Sequence, residues 1–88
     1  MYELGLRKSV EKAFSKLSKK DRKLLSAISK NIDEILIDPQ KYKNLRRPFQ
    51  YLKRVHVEKS FVLVFSIDED EGLVIIEDFD HRDRIYKR

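Results

Sequence analysis

The residues best suited to chemistry in this 88-residue chain are two histidines, each with an arginine close by. Arg54 and His56 stand two positions apart in the segment LKRVHV, and Arg82 directly follows His81. Histidine exchanges a proton near neutral pH, and arginine holds a phosphate through paired donors and a permanent charge. Tyr86, four residues further on, offers a ring that stacks on an unpaired base. These residues are candidates for proton transfer and phosphate binding.

The segment 52–67 predicts a β-hairpin that positions the first histidine–arginine pair. Its second strand, Phe61 to Ile67, is apolar on both faces with one exception, as expected in the middle of a sheet. Because side chains alternate along a strand, Arg54 and His56 share one face, about 7 Å apart along the strand. The other face of that strand carries Lys53, Val55 and Val57.

The rest of the chain predicts further strands and a helical hairpin. Apolar residues recur at helical spacing in two segments, and shorter alternating or apolar segments indicate strands. Ser18 and Asp21 resemble a capping box that would start the second helix. The predicted strands and helices occupy residues 1–6, 7–17, 20–37, 52–57, 61–67 and 73–77.

This order of elements predicts an α+β fold in a single domain, residues 1–88. An N-terminal strand and an antiparallel helical hairpin pack on one face of a three- to four-stranded antiparallel sheet, because neither helix can bury its apolar stripe alone. The opposite face is predicted to be uncovered and to carry Arg54 and His56. The C-terminal tail, which carries His81, Arg82 and Tyr86, is expected to meet the hairpin over that face.

Positive charge is concentrated around the first hairpin strand. The chain has 20 Lys and Arg against 15 Asp and Glu, a net charge of +5. Residues 41–60 hold seven of the basic residues and one acid, whereas residues 61–88 hold eight acids and four basic residues. Such a patch favours a polyanion or an acidic partner protein over a purely solubilising role.

Composition excludes several classes of function. The absence of cysteine excludes disulfides, thiolate metal sites and a cysteine nucleophile, and two histidines are too few for an all-protein zinc site. No apolar segment is long enough to cross a membrane, and the N-terminus lacks the apolar core of a secretory signal. We expect a cytoplasmic protein that uses no metal or other cofactor.

The order and spacing of these residues resemble the RelE/ParE superfamily of bacterial and archaeal toxins. The resemblance covers essentially the whole chain, and its most specific part is the tail, HRDxxY at residues 81–86. The other matching segments are K-x4-A-x3-L at 8–17, KxL at 43–45, RVHV at 54–57 and FVLVF at 61–65. It implies the toxin of a type II toxin–antitoxin pair, which a small cognate acidic antitoxin wraps and silences.

The resemblance to RelE-like members implies a ribosome-dependent endonuclease that cleaves mRNA in the ribosomal A site and so inhibits translation. No metal is needed, because the 2′-hydroxyl of the message is the nucleophile, and the protein supplies a base, an acid and cations. The resemblance assigns the catalytic roles to Arg54, His56, His81, Arg82 and Tyr86. RNA or ribosome contacts are expected at Lys41, Lys43, Arg46, Arg47, Lys53, Lys59 and Arg84.

One position departs from the RelE-like pattern. Those nucleases usually place an arginine directly after the aromatic residue that starts the central strand, and here Val62 follows Phe61. Lys59, Arg82 or Arg84 are the candidates to replace that arginine. The departure favours an alternative: a ParE-like inhibitor of DNA gyrase, or a toxin-fold binding module with weak catalysis. A plain RNA-binding or ribosome-associated protein is the third hypothesis.

Overall fold

A computed structural model describes residues 1–85 and has the α+β architecture that the sequence predicts. Two helices lie on one face of a four-stranded sheet, and a short third helix follows the last strand. In chain order the elements are β1 (Glu3–Leu6), α1 (Lys8–Lys20), α2 (Arg22–Ile37), a 3-10 turn (Pro39–Lys41), β2 (Lys53–Val57), β3 (Phe61–Asp68), β4 (Leu73–His81) and α3 (Arg82–Ile85). No helix of these 85 residues is both long and apolar enough to span a bilayer.

The helical hairpin forms where the apolar spacing predicts it, but its turn differs in detail. The carboxylate of Asp21 accepts a hydrogen bond from the Leu24 backbone N–H at 3.0 Å and so caps α2 alone. Ser18 is not a cap, because α1 continues to Lys20 and the Ser18 hydroxyl donates to the Ser15 carbonyl at 2.6 Å. The predicted capping box is therefore wrong, and the acid alone marks the start of α2.

The sheet has the strand order β1-β4-β3-β2. The meander β2–β3–β4 is antiparallel, as predicted. β1 lies at the edge and pairs in parallel with β4, from Glu3 opposite Leu73 to Leu6 opposite Ile76. The sheet is therefore mixed. A parallel neighbour requires a long crossover connection, which the helical hairpin and the strands β2 and β3 supply together.

The core lies between the helices and the sheet. The helices contribute mainly one face of α2, and the sheet contributes the side chains of alternate positions on β2, β3 and β4. The fully buried members include Val10, Ile28, Ile35, Val57, Leu63, Phe65, Val74 and Ile76. This packing fixes which strand residues are left for the opposite face of the sheet, which we call the open face.

A β-bulge on β4 decides which of its side chains reach the open face. Val64 pairs with Asp78, but the next residue, Phe65, pairs with Ile76, so Glu77 is the extra residue. An extra residue shifts the alternation of every side chain beyond it. Beyond the bulge, Asp78 and Asp80 therefore share the open face with Glu77, and Phe79 and His81 are turned towards the helices.

Candidate functional site

Arg54 and His56 lie on the open face, which confirms the predicted alternation of β2. Both side chains are exposed, whereas Val57 is buried in the core. The register continues across the sheet in two rows, because residues directly opposite in an antiparallel pair share a face. One row is Arg54–Val64–Asp78, and the other is His56–Val62–Asp80.

The open face is partly covered, contrary to the prediction that it is bare. Val62 and Val64 face this side, yet their exposed fractions are 0% and 4%. The segment 42–52, which we call the basic loop, and the C-terminal α3 fold over the middle of the sheet. Between them and the sheet is a cavity of about 260 Å³ lined by Leu45, Phe49, Leu52, Val64, Glu77, Asp78 and Ile85.

A second, larger cavity adjoins the first and is strongly basic; we call it the cationic cleft. It has a volume of about 480 Å³ and is lined by Lys43, Asn44, Leu45, Arg46, Arg47, Phe49, Arg54 and Ile85. Four of these residues are cations, and among the described residues that line the cleft there is no carboxylate. Ile85 of α3 and Arg54 of β2 meet here, as expected of tail and hairpin.

Lys53 is placed differently from its predicted role as an RNA contact. Its residue exposure is 7%, and its ammonium donates to the Tyr42 carbonyl at 2.8 Å and to Asn44 Oδ1 at 2.9 Å. The Asn44 amide donates in turn to the Gln50 carbonyl. Lys53 faces the core side of β2, so it ties the basic loop to the sheet and is not presented to a ligand.

The basic loop is closed by further main-chain hydrogen bonds. The Leu45 N–H donates to the Leu52 carbonyl at 2.9 Å, which holds the two ends of the loop together. Tyr42 anchors the start of the loop, because its ring packs edge-on against Phe65 with centroids 5.7 Å apart. Tyr42 and Leu45 therefore anchor the loop, which presents its cations from a fixed frame.

His81 does not join His56 on the open face, although Ile85 of the same C-terminal segment meets Arg54 there. It pairs with Phe61 in the sheet, and its ring lies 4.4 Å from the Phe61 ring. Phe61 also stacks on Phe79, which contacts Phe14 of α1, so this side of the sheet faces the helices. The reason is the bulge at Glu77, which reverses the alternation of β4 ahead of His81.

The other predicted contacts are not among the residues that line the cleft. Arg82 is exposed, and its backbone N–H donates to the Ser60 carbonyl at 2.8 Å, which joins α3 to the β2–β3 turn. Arg84 forms an ion pair with Asp80 at 3.5 Å. Lys59 is exposed in the turn, and Lys41 places its ammonium 5.3 Å from the centre of the Tyr42 ring. Tyr86 lies outside the described residues.

Two exposed aromatic residues of the basic loop were not predicted from the sequence. Phe49 lines both cavities and is 48% exposed, and Tyr51 is 66% exposed. The signal was present in the segment RRPFQYLKR, where aromatic and basic residues are interleaved. The Phe49 ring stands beside the cations of the cleft, a combination that suits single-stranded nucleic acid, whereas Tyr51 lines neither cavity.

The β4 side of the open face is acidic and held by internal contacts. The Glu77 carboxylate accepts hydrogen bonds from Arg7 Nε at 2.8 Å and from the Ser66 hydroxyl at 2.7 Å. Burial alone raises the pKa of Glu77, but the hydrogen bonds from Arg7 and Ser66 and the Arg7 charge outweigh it and hold the pKa below its ordinary value. This carboxylate is therefore ionised at neutral pH and engaged with its partners.

The cations of the cleft suit a phosphodiester, and His56 stands on the same strand face but outside the residues that line the cleft. Arginine and lysine around a concave surface hold phosphate oxygens, and His56 lies two residues along the same strand face as Arg54. Within residues 1–85 no group of three or more His, Cys, Asp or Glu side chains could hold a metal ion.

A family model and a related sequence both identify this chain as similar to toxins. The model of the ParE toxin family of type II toxin–antitoxin systems matches residues 4–86. A protein of Methanocaldococcus jannaschii named "Putative toxin RelE4" is 53% identical over 88 residues, covering 100% of this chain and 94% of its own length.

Solved structures with the same fold include two RelE proteins. One is in the RelBE2 toxin–antitoxin complex of Mycobacterium tuberculosis, with a TM-score of 0.76, 22% identity and coverage of 92% of this chain and 91% of that chain. The other is the isolated RelE toxin of Escherichia coli, with a TM-score of 0.74, 18% identity and coverage of 99% and 93%. At these identities the likeness concerns the fold.

Proposed function

This chain belongs to the ParE toxin family of type II toxin–antitoxin systems, within the RelE/ParE superfamily, and from that premise we propose that it is a ribosome-dependent mRNA endonuclease. It cleaves the message bound in the ribosome through attack of the RNA 2′-oxygen on the adjacent phosphorus. Translation stops as a result. A cognate antitoxin is the partner that holds the toxin inactive, as in the RelBE2 complex to which the chain is similar in fold.

The cationic cleft is the observation that carries this proposal. Attack of a 2′-oxygen on phosphorus builds up negative charge on the phosphoryl oxygens, and fixed cations stabilise that charge. Arg54 stands on a rigid strand, and Lys43, Arg46 and Arg47 stand on a loop tied to the same strand. We assign Arg54 to the phosphate that is cleaved and the loop cations to its neighbours along the message.

His56 is the histidine that we assign to proton transfer. It shares the exposed face of β2 with Arg54, whereas His81 lies on the helix side of the sheet against Phe61. An imidazole near neutrality serves either as the base for the 2′-hydroxyl or as the acid for the leaving 5′-oxygen. Arg82 and Arg84, on α3, are proposed as further contacts to the message.

Inhibition of DNA gyrase is the second candidate, and two observations favour it. The family model that matches is that of ParE toxins. In addition, Val62 occupies the position where RelE-like nucleases usually carry an arginine, and it is fully buried at 0% exposure. In this alternative the cationic cleft binds a polyanionic or acidic surface without performing chemistry.

An in vitro translation assay that maps mRNA ends separates the two candidates. We expect new ends that require both ribosomes and the wild-type protein. Arg54→Ala is expected to lower cleavage about 100-fold or more, because it removes a cation from the developing charge. His56→Gln is expected to reduce cleavage strongly, and the matched variant His81→Gln to leave most of it.

The opposite outcome is equally clear. Intact messages in the translation assay, together with DNA breaks and an SOS-type response on expression, would overturn the nuclease proposal and select gyrase inhibition. Equal loss of cleavage in His56→Gln and His81→Gln would overturn the assignment of proton transfer to the open face.

A further inference from the structure

We propose that the ring of Phe49 is a stacking platform for one unpaired nucleobase, beside the phosphate that the cations of the cleft hold. This inference rests on the proposed function, because it states how the RNA is held at the same site. It assigns the apolar part of the cleft to the base and the charged part to the backbone.

Phe49 differs from the other phenylalanines of the chain. The chain has five, and the other four, Phe14, Phe61, Phe65 and Phe79, belong to the core or pack against it. Phe49 is 48% exposed, yet it borders both cavities of the open face. A large apolar ring that remains half in water gains free energy when a ligand covers it.

The loop around Phe49 is already closed in the free protein. The Phe49 N–H donates to the Arg46 carbonyl at 2.9 Å, and the Phe49 carbonyl accepts from the Leu52 N–H at 2.9 Å. The contacts of Lys53 to Tyr42 and Asn44 hold the same loop from the sheet side. Because the backbone on both sides of the ring is fixed, a base that stacks on it orders little additional structure.

The charge around the ring selects the class of ligand. Phe49 shares the cleft with four cations and, among the described lining residues, with no carboxylate. An unpaired nucleotide carries a flat π surface and a phosphate in one unit, so it satisfies the ring and the cations together. An acidic peptide would match the cations but would bring no planar base to the ring.

The absence of tryptophan from the chain permits a direct optical test. Phe49→Trp introduces a single indole at the platform, and Tyr51→Trp introduces one at an exposed loop position that lines neither cavity. The ligands are a 2′-O-methyl RNA hexanucleotide, which cannot be cleaved, and its abasic counterpart with the same phosphates. We expect the intact oligonucleotide to quench the indole at position 49 and the abasic one to leave it bright.

Affinities provide the second measurement. Phe49→Leu is expected to bind the intact hexanucleotide about tenfold more weakly than the wild type, which is the range found for loss of one base–aromatic stack. Binding of the abasic oligonucleotide should be unchanged. Tyr51→Leu, on the same loop, should bind both ligands as the wild type does, and thermal unfolding should show that both variants remain folded.

Several results would overturn the platform. Wild-type protein that binds the intact and abasic oligonucleotides equally well, or that fails to bind the intact one, would rule the platform out. Unchanged affinity of Phe49→Leu for the intact oligonucleotide would do the same. So would displacement by polyglutamate that is equally effective against the intact and the abasic oligonucleotide. The assay uses neither ribosomes nor a cleavable bond. Quenching at position 49 without message cleavage in translation would therefore reject the nuclease alone, and cleavage without the stacking signature would reject the platform alone.

Discussion

The two sides of the open face carry opposite charge, and they differ in whether that charge is paired within the protein. On the β2 side, Lys43, Arg46 and Arg47 make no ion pair with any carboxylate of residues 1–85. On the β4 side, Glu77 is held by Arg7 and Ser66. Glu77 therefore stabilises the fold, whereas no described carboxylate neutralises the cations of the basic loop.

This contrast also orients a ligand. A polyanion is expected to prefer the cationic cleft to β4, where the carboxylates of Glu77 and Asp80 are already paired with Arg7 and Arg84. The path of a phosphate backbone is therefore expected to follow β2 and the basic loop rather than cross to β4. Three sets of variants separate the two sides of the open face, beginning with the largest expected effect.

Removal of the loop cations should have the largest effect. The triple variant Lys43→Gln, Arg46→Gln, Arg47→Gln is expected to bind single-stranded RNA about 100-fold more weakly at low salt, because each lost phosphate contact also loses its counterion release. The slope of log affinity against log salt should fall by about 2. A salt titration of RNA binding measures both quantities.

A matched variant tests whether position matters or only net charge. The control triple variant also removes three positive charges, but from the exposed face of α1: Lys12→Gln, Lys16→Gln, Lys19→Gln. Because exposed charges beyond about 10 Å are largely screened at 0.1 M salt, it should bind nearly as the wild type does. Equal weakening in both triple variants would show that the contrast between the two sides of the open face has no role in binding.

Loss of the Lys53 contacts should have an intermediate effect. Lys53→Met keeps the apolar stem and leaves the Tyr42 carbonyl and Asn44 Oδ1 without their charged donor. We expect about 2 kcal/mol less free energy of unfolding, the range for hydrogen bonds to a charged group, together with weaker RNA binding. Urea denaturation measures the first, with the exposed Lys30→Met as its control. A stability equal to that of the control would mean that Lys53 does not hold the loop.

The acidic side should show the smallest effect, and one that depends on pH. The lowered pKa of Glu77 means that its stabilisation is present above the ordinary value of about 4.5 and is lost as the pH falls through the lowered value. Glu77→Gln should cost at most about 1 kcal/mol at pH 7, because its partner Arg7 is 58% exposed. Urea denaturation at pH 7 and at pH 3 should show the difference between wild type and variant shrinking at acid pH. An equal difference in unfolding free energy at pH 7 and pH 3 would contradict the ion-pair explanation. The RNA affinity of Glu77→Gln should differ little from that of the wild type.

Regular alternation and apolar spacing were enough to predict most of the fold and part of the site. The helices followed from their apolar stripes, and the shared face of Arg54 and His56 followed from β2, which is regular over its whole length. The opposite placement of His81 depends on the extra residue at Glu77, which hydropathy does not reveal because Glu77 and Asp78 are adjacent acidic residues and show no alternation.

The cover of the open face was not predictable for a different reason. The basic loop takes its position from contacts distant in sequence, such as those of Lys53 to Tyr42 and Asn44, and not from a local propensity. A lysine in a strand is ordinarily expected at the surface. Its burial here is possible because a carbonyl and an amide oxygen satisfy the ammonium, and neither partner is recognisable before the loop is folded.

The parallel pairing of β1 with β4 has a consequence for the order of folding. The β2–β3–β4 meander joins neighbours in sequence, but β1 must wait for β4, and the ion pair beside their junction joins Arg7 to Glu77 across 70 residues. Closing so long a loop costs entropy before the contact is made, so distant pairings form late. During synthesis β1 emerges first and stays without its partner strand until β4 has been translated. The sheet is therefore completed only after β4 has been made, when both long helices and the other three strands have already been translated.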